Sequence, residues 1–295
     1  MQKLYTEEGK KLPAVPWERY PRPQMRRADW LCLNGDWEIT YGGKTRTIRV
    51  PFCAESLLSG LETPPAIGTE MVYRRSFTIP EAWQGRRILL HFGAVMRDCR
   101  VRVNGRELCR HENGYLPFTV DVSEALRAGE NELAVAVTND LDHRYPWGKQ
   151  SVKRGGMWYT PFSGLWQPVW LESVPEVYAA GLRIQTDMRH AVIDTLDPSH
   201  NGTVLVRTPS GEEAFPLAGG RAVVCPSSVR CWSPESPYLY YFTLRLEGGD
   251  EVRSYFALRE ITCGTAKGTP CLLLNGRPYF FHGVLDQCYW SDGLS

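Results

Sequence analysis

Residues 100–103 read Arg-Val-Arg-Val, and residues 133–138 read Leu-Ala-Val-Ala-Val-Thr. A period of two puts apolar side chains on one face of an extended chain and polar or small ones on the other. That pattern belongs to a strand with one wet face. Similar short runs recur at 86–92, 168–172, 203–208, 222–225, 240–246 and 251–258. Pro and Gly separate them, and Asn-Gly occurs at 34–35, 104–105, 113–114, 201–202 and 275–276. Asn-Gly accepts the positive φ values that tight hairpins require. Helical periodicity is scarce. One helical turn is expected over 121–131, with Ser123 as its cap and Gly129 as its stop. The fold class is therefore all-β, built from sandwiches.

Length and composition narrow the function. The chain has 295 residues, enough for two ordinary domains, and its 43% apolar content can fill sizeable cores. The net charge is +1, without long runs of one sign. A nucleic-acid or membrane-surface partner needs a basic field and is not expected. No apolar stretch approaches the roughly 18 residues that span a bilayer. The N-terminus lacks an apolar signal-like core, which reads as a cytoplasmic protein. Nine Cys (32, 53, 99, 109, 225, 231, 263, 271 and 288) show no C-x-x-C spacing, so neither a disulfide framework nor a zinc site is expected. The six His are dispersed, and neither a metal nor a cofactor is expected. Ten Trp suit both core packing and sugar stacking.

Several stretches, in order, resemble glycoside hydrolase family 2, the family of β-galactosidases and β-glucuronidases. They include WLCLNGDWEI (30–39), VPFCAESLLSG (50–60), YRRSFTIPEAWQGRRILLHFGAVMRDCRVRVNG (73–105), HENGYLPFTVDVSEAL (111–126) and GENELAVAVTND (129–140). PWGKQ (146–150), GMWYTPFSGLWQPVWLE (156–172), WSPESPYLYYFTLRL (232–246) and SYFALREI (254–261) continue the likeness, and PWGKQ and GMWYTPFSGLWQPVWLE resemble a β-galactosidase-like branch. The resemblance implies a jelly-roll (galactose-binding-like) sandwich over 1–175 and an immunoglobulin-like sandwich over 176–262. Residues 263–295 would begin a truncated (β/α)8 catalytic barrel, with its first strand around Tyr279–Gly283. The residues themselves point to a boundary near 171–182 and to a hairpin of 272–274 with 277–281.

The same resemblance implies retaining hydrolysis of a β-linked carbohydrate. Retention needs two carboxylates about 5–5.5 Å apart. In this family they are Glu residues late in a barrel, which takes roughly 250 residues. The segment 263–295 is far too short to supply them. Asn131-Glu132 reads as a strand entry, Glu212-Glu213 as a solvated turn and Glu7-Glu8 as part of a mobile terminus. This chain alone is therefore expected to be inactive, with no catalytic residue of its own. What remains is a substrate-facing edge, for which the resemblance marks Asn139, Asp140, Lys149, Gln150, Trp158, Tyr159, Asp286 and Gln287. Arg144 adds a donor in the same loop, whereas Trp166 and Trp170 read as core. Met96, Arg97, His282 and Cys288 depart from the family pattern. The alternative is a stand-alone, lectin-like carbohydrate-binding module. A third reading is homo-oligomerisation, driven by Phe280 and Phe281.

Overall fold

The valines of Arg-Val-Arg-Val need a dry surface opposite them. In the computed structural model, which describes residues 3–61, 63–153 and 155–294, they find it across a two-sheet sandwich. The first compact unit takes in residues up to Pro21, Asp29–Ser173 and the segment from Gln287. Its strands are β1 (Trp30–Cys32), β2 (Gly35–Tyr41), β3 (Lys44–Val50), β4 (Met71–Thr78), β5 (Arg87–Phe92), β6 (Val95–Met96), β7 (Asp98–Val103), β8 (Arg106–His111), β9 (Phe118–Asp121), β10 (Glu130–Thr138), β11 (Gly164–Leu165) and β12 (Val169–Val174). One sheet runs β3-β2-β4-β10-β7-β8 and the other β1-β12-β5-β9. β11 pairs with β6 in a small separate ladder.

β10 shows how sequence sets register. Val135 stands opposite Tyr73 of β4 on one side and Val101 of β7 on the other. Leu133, Val135 and Val137 reach the core with Val101, Val103 and Trp37, while the alternate residues face out. Each fully buried side chain of this size contributes about 1.5–3 kcal/mol. A one-residue slip would turn the whole row into water, so the register is strongly specified.

The second unit comprises Arg22–Ala28 and Val174–Asp286. β13 (Arg183–Thr186), β14 (Ala191–Asp194) and β17 (Arg221–Val224) form one sheet. β15 (Gly202–Thr208), β16 (Gly211–Leu217), β18 (Tyr240–Leu246) and β19 (Glu251–Phe256) form the other, in the order β16-β15-β18-β19. This is a seven-stranded immunoglobulin-like sandwich. A third sheet joins β20 (Ile261–Ala266), β21 (Thr269–Leu274) and β22 (Arg277–Pro278). Segment 22–28 docks as part of this unit: Met25 enters the core, and Arg26 exchanges two backbone hydrogen bonds with Arg253. Arg27 donates to both oxygens of Asp250 at 2.9 Å and to the Ala179 carbonyl at 2.7 Å.

Two Asn-Gly pairs make the expected hairpins. Asn104-Gly105 (φ 51 and 82°) joins β7 to β8, and Asn275-Gly276 (φ 51 and 74°) joins β21 to β22. The other three do different work. The Asn34 side chain is buried and bridges the Pro16 carbonyl and the Val169 N–H. Asn113 accepts from the N–H groups of Tyr115 and Leu116, and Gly202 opens β15 against the Arg245 carbonyl. The helical turn expected over 121–131 shrinks to a 3-10 turn at Ser123–Ala125. Ser123 does not cap it; its hydroxyl accepts from Ile88 N–H of β5 and donates to Asp121. Asn131, fully buried, instead holds the backbone of Arg127 and Gly129. Residues 279–283 are not a strand, because no described strand lies alongside to complete a ladder.

The Arg27–Asp250 pair, with side chains 4% and 2% exposed, fastens segment 22–28. Arg27→Ala is expected to cost about 3–5 kcal/mol, since it strands a buried carboxylate. Urea denaturation of the two proteins measures this. A loss below about 1 kcal/mol would mean that the pair behaves as a surface bridge.

Candidate functional site

Beyond β10 the chain leaves the sheet for a long polar and aromatic loop that returns at β11. Among the described residues its own backbone pairing is limited to short bridges, Gln150 with Tyr159 and Gly155 with Trp158, so side chains must satisfy much of the rest. They converge on Phe162 and Ser163. Asn139 donates through Nδ2 to the Phe162 carbonyl at 2.8 Å, and Gln150 accepts through Oε1 from the Phe162 N–H at 2.8 Å. Both side chains are at most 2% exposed. Asn139 Oδ1 also accepts from Leu141 N–H, and Gln150 Nε2 donates to the Tyr115 hydroxyl. These two residues, marked from sequence as sugar-facing, therefore spend their polar atoms inside the fold. Around them Cys53, Met96 and Phe162 form a small core, packed by Tyr115, Trp166, Tyr289 and Leu294.

Glu55 completes the anchor. Its carboxylate accepts from Ser163 N–H at 2.8 Å and from the Ser163 hydroxyl. Loss of solvation pushes its pKa up to about 7, although both Ser163 bonds pull the other way. Burial also raises the neighbouring Cys53 thiol and, with the charge of Glu55, the Tyr73 hydroxyl.

Asp140 and Arg144 are exposed but engaged. Asp140 pairs with the guanidinium of Arg97, which lies 4.5 Å over the Tyr145 ring. Partial burial would raise Asp140, yet the Arg97 hydrogen bond and charge, with the Asp142 N–H, bring it below the ordinary carboxylate value. Thus Arg97, a departure from the family pattern, has a partner of its own. Arg144 grips Asp142 with contacts of 2.6–3.0 Å, which holds that carboxyl near 2.

The remaining marked residues do meet. The Tyr159 hydroxyl donates to Gln287 Oε1, and Lys149 Nζ lies 3.4 Å from the same oxygen. The Tyr159 ring stacks on Tyr289 at 4.4 Å, and the Tyr289 hydroxyl donates to the Thr160 carbonyl. Beside them Trp158 is 43% exposed and stacks on Trp147 at 5.6 Å, which in turn stacks on His143 at 4.2 Å. Trp170 is buried, and Trp166, half-buried, donates to the Gly114 carbonyl, both as read from sequence. Asp286 is exposed and falls in the second unit.

Sequence reasoning missed Glu55, Tyr115, His143, Trp147 and Tyr289. Trp147, the ring partner of Trp158, and His143, which stacks on Trp147, stood in the same loop, and the aromatic spacing could have found them. Glu55 and Tyr289 come from remote segments and carried no such signal. The arrangement offers an exposed aromatic face next to a cation, a phenol and an amide, which is the chemistry of polyol binding. Among the described residues no group of three or more His, Cys, Asp or Glu is placed to hold a metal. No described helix is long and apolar enough to cross a membrane.

Residues 18–175 match the family model for the sugar binding domain of glycosyl hydrolases family 2. The chain belongs to that family. It is 26% identical over 234 residues to a β-glucuronidase of Paenibacillus borealis, covering 72% of this chain and 39% of that protein. It is 24% identical over 242 residues to a β-galactosidase of Thermoanaerobacter pseudethanolicus, covering 72% of this chain and 31% of that one. The chain thus spans under two-fifths of the length of these relatives. The fold is shared with a β-glucuronidase from Ruminococcus gnavus solved with an N1-substituted uronic isofagomine (TM-score 0.70, 22% identity, 90% of this chain and 51% of that one).

The raised Glu55 carries a signed prediction. A carboxyl with a folded pKa near 7 and an unfolded value of 4.5 keeps its proton longer in the folded state. Its stabilising effect is complete below 4.5 and is lost as pH rises to about 7, roughly 3 kcal/mol at most. The stability of the wild type relative to Glu55→Gln should therefore fall across that window. A pH-independent difference between the two would show that Glu55 titrates normally.

Proposed function

We propose that this chain is the sugar-recognition and scaffold part of a retaining β-glycosidase, and that it does not itself break a glycosidic bond. The observation that carries this reading is the meeting of Lys149, Tyr159 and Gln287 at one amide oxygen beside the exposed Trp158 ring. A pyranose lays its C–H face on such a ring, while an ammonium and an amide donate to its hydroxyls. The family's named enzymes, β-glucuronidases and β-galactosidases, point to a β-linked glucuronide or galactoside.

The carboxylates at hand support the second half. Glu132 is exposed on the wet face of β10. Glu212 and Glu213 lie in β16, where neighbours point to opposite faces, and Glu213 is held by Ser227 and Thr208. Glu7 pairs with Lys10. The bond-breaking pair would come from sequence outside these 295 residues.

Two assays test this. The 295-residue chain should hydrolyse aryl β-glucuronides and β-galactosides no faster than buffer does. In a longer protein that carries the catalytic pair, Trp158→Ala should raise KM about tenfold, the scale of one lost stacking contact, with a smaller effect on kcat. Turnover by the chain itself that survives repurification would overturn the proposal, as would an unchanged KM in the variant.

A further inference from the structure

Alanine is a poor residue for the wet face of a strand, since it neither packs across to its neighbours nor carries charge. β10 has two there, Ala134 and Ala136, near the middle of the six-stranded sheet. The register sets Ala134 between Arg74 of β4 and Arg102 of β7, and Ala136 next to Arg100 of β7. Strands lie about 4.8 Å apart, so the two arginine backbones of the Ala134 row stand roughly 10 Å apart with a methyl group between them. The result is a groove of about 590 Å³ floored by the alanines and edged by Glu70, Glu107 and Glu132.

The charges around it are only partly matched. Arg100 pairs with Glu70 and Arg102 with Glu107, each at 2.6 Å. Arg74 makes no ion pair among the described residues, although Glu38 is its cross-strand neighbour. A guanidinium without a carboxylate, facing a second guanidinium across an open floor, is arranged for a planar oxyanion.

We propose that this groove is a second carbohydrate site, separate from the Trp158 loop, which takes a carboxylated oligosaccharide with one carboxylate between Arg74 and Arg102. The mixed lining selects the class. Arginines donate and glutamates accept, so the occupant needs hydroxyls as well as an anion. A polyanionic peptide would meet Glu70, Glu107 and Glu132. An extended peptide would also leave its backbone unpaired, because the backbone of these inner strands is already used in the ladder.

Calorimetric titration of the full chain with a short α-linked oligogalacturonate tests the idea, with the corresponding neutral oligogalactoside as comparison. Saturable binding of the acidic oligomer is expected, weakening as salt is raised. Arg74→Ala and the groove-filling Ala134→Phe should each weaken it about tenfold or more, as should loss of the carboxylates. Thermal unfolding checks that Ala134→Phe keeps the fold, and Arg74→Ala, a surface change, decides the matter if it does not. Absence of saturable binding, equal binding of the neutral oligomer, or undiminished binding by Arg74→Ala would overturn the proposal. Since the probe is α-linked and the variants lie away from Trp158, either result leaves the reading of the loop to its own assays.

Discussion

The backbone of one residue carries the loop between β10 and β11. The Phe162 N–H and C=O are both taken by buried side-chain amides, from Gln150 and Asn139. The next residue, Ser163, is held by Glu55 and by the Ala54 N–H. In a strand these groups would be paired by a neighbouring strand. Here four side-chain and backbone partners from three segments replace the ladder, and the buried Phe162 ring ties them to the small core below. An unpaired buried amide costs about 1–3 kcal/mol, so losing any one partner would release the loop. The positions of Lys149, Trp158 and Tyr159 all follow from this anchorage, because they lie between Asn139 and Phe162 in the chain.

The same economy explains why the exposed rings can be tolerated. Trp158 is left partly open, but it is backed by Trp147, which is itself backed by His143. Tyr159 is likewise backed by Tyr289, whose hydroxyl is fixed on the Thr160 carbonyl. A stacked, preorganised ring would lose little freedom on binding the proposed sugar, which would keep the cost of binding low.

Much of the fold was legible in the sequence for a simple reason. Alternation with a period of two is a local property, and Arg100–Val103 and Leu133–Thr138 display it without any help from remote residues. The Asn104-Gly105 and Asn275-Gly276 hairpins were legible for the same reason. The polar contacts were not. Asn139 and Gln150 were marked as sugar-facing by the resemblance, whereas their burial depends on Phe162, many residues away. Asn131 read only as part of a strand entry, and nothing local showed that its side chain clamps the turn before β10. Ser123 looked like a helix cap, yet its hydroxyl serves β5. Glu55 offered no clue at all, since its role depends on Ser163, far along the chain. Trp158 and Tyr159 were legible as loop aromatics, because residue type and loop position are local, but their stacking on Trp147 and Tyr289 was not.

Hydrogen exchange at the Phe162 amide tests the central claim most directly. If buried side chains hold the loop, this amide exchanges slowly in the wild type. In Gln150→Ala it should lose that protection while the amides of β10 keep theirs. A Phe162 amide that exchanges as fast as an exposed loop residue, or one that stays protected in Gln150→Ala, would contradict the account.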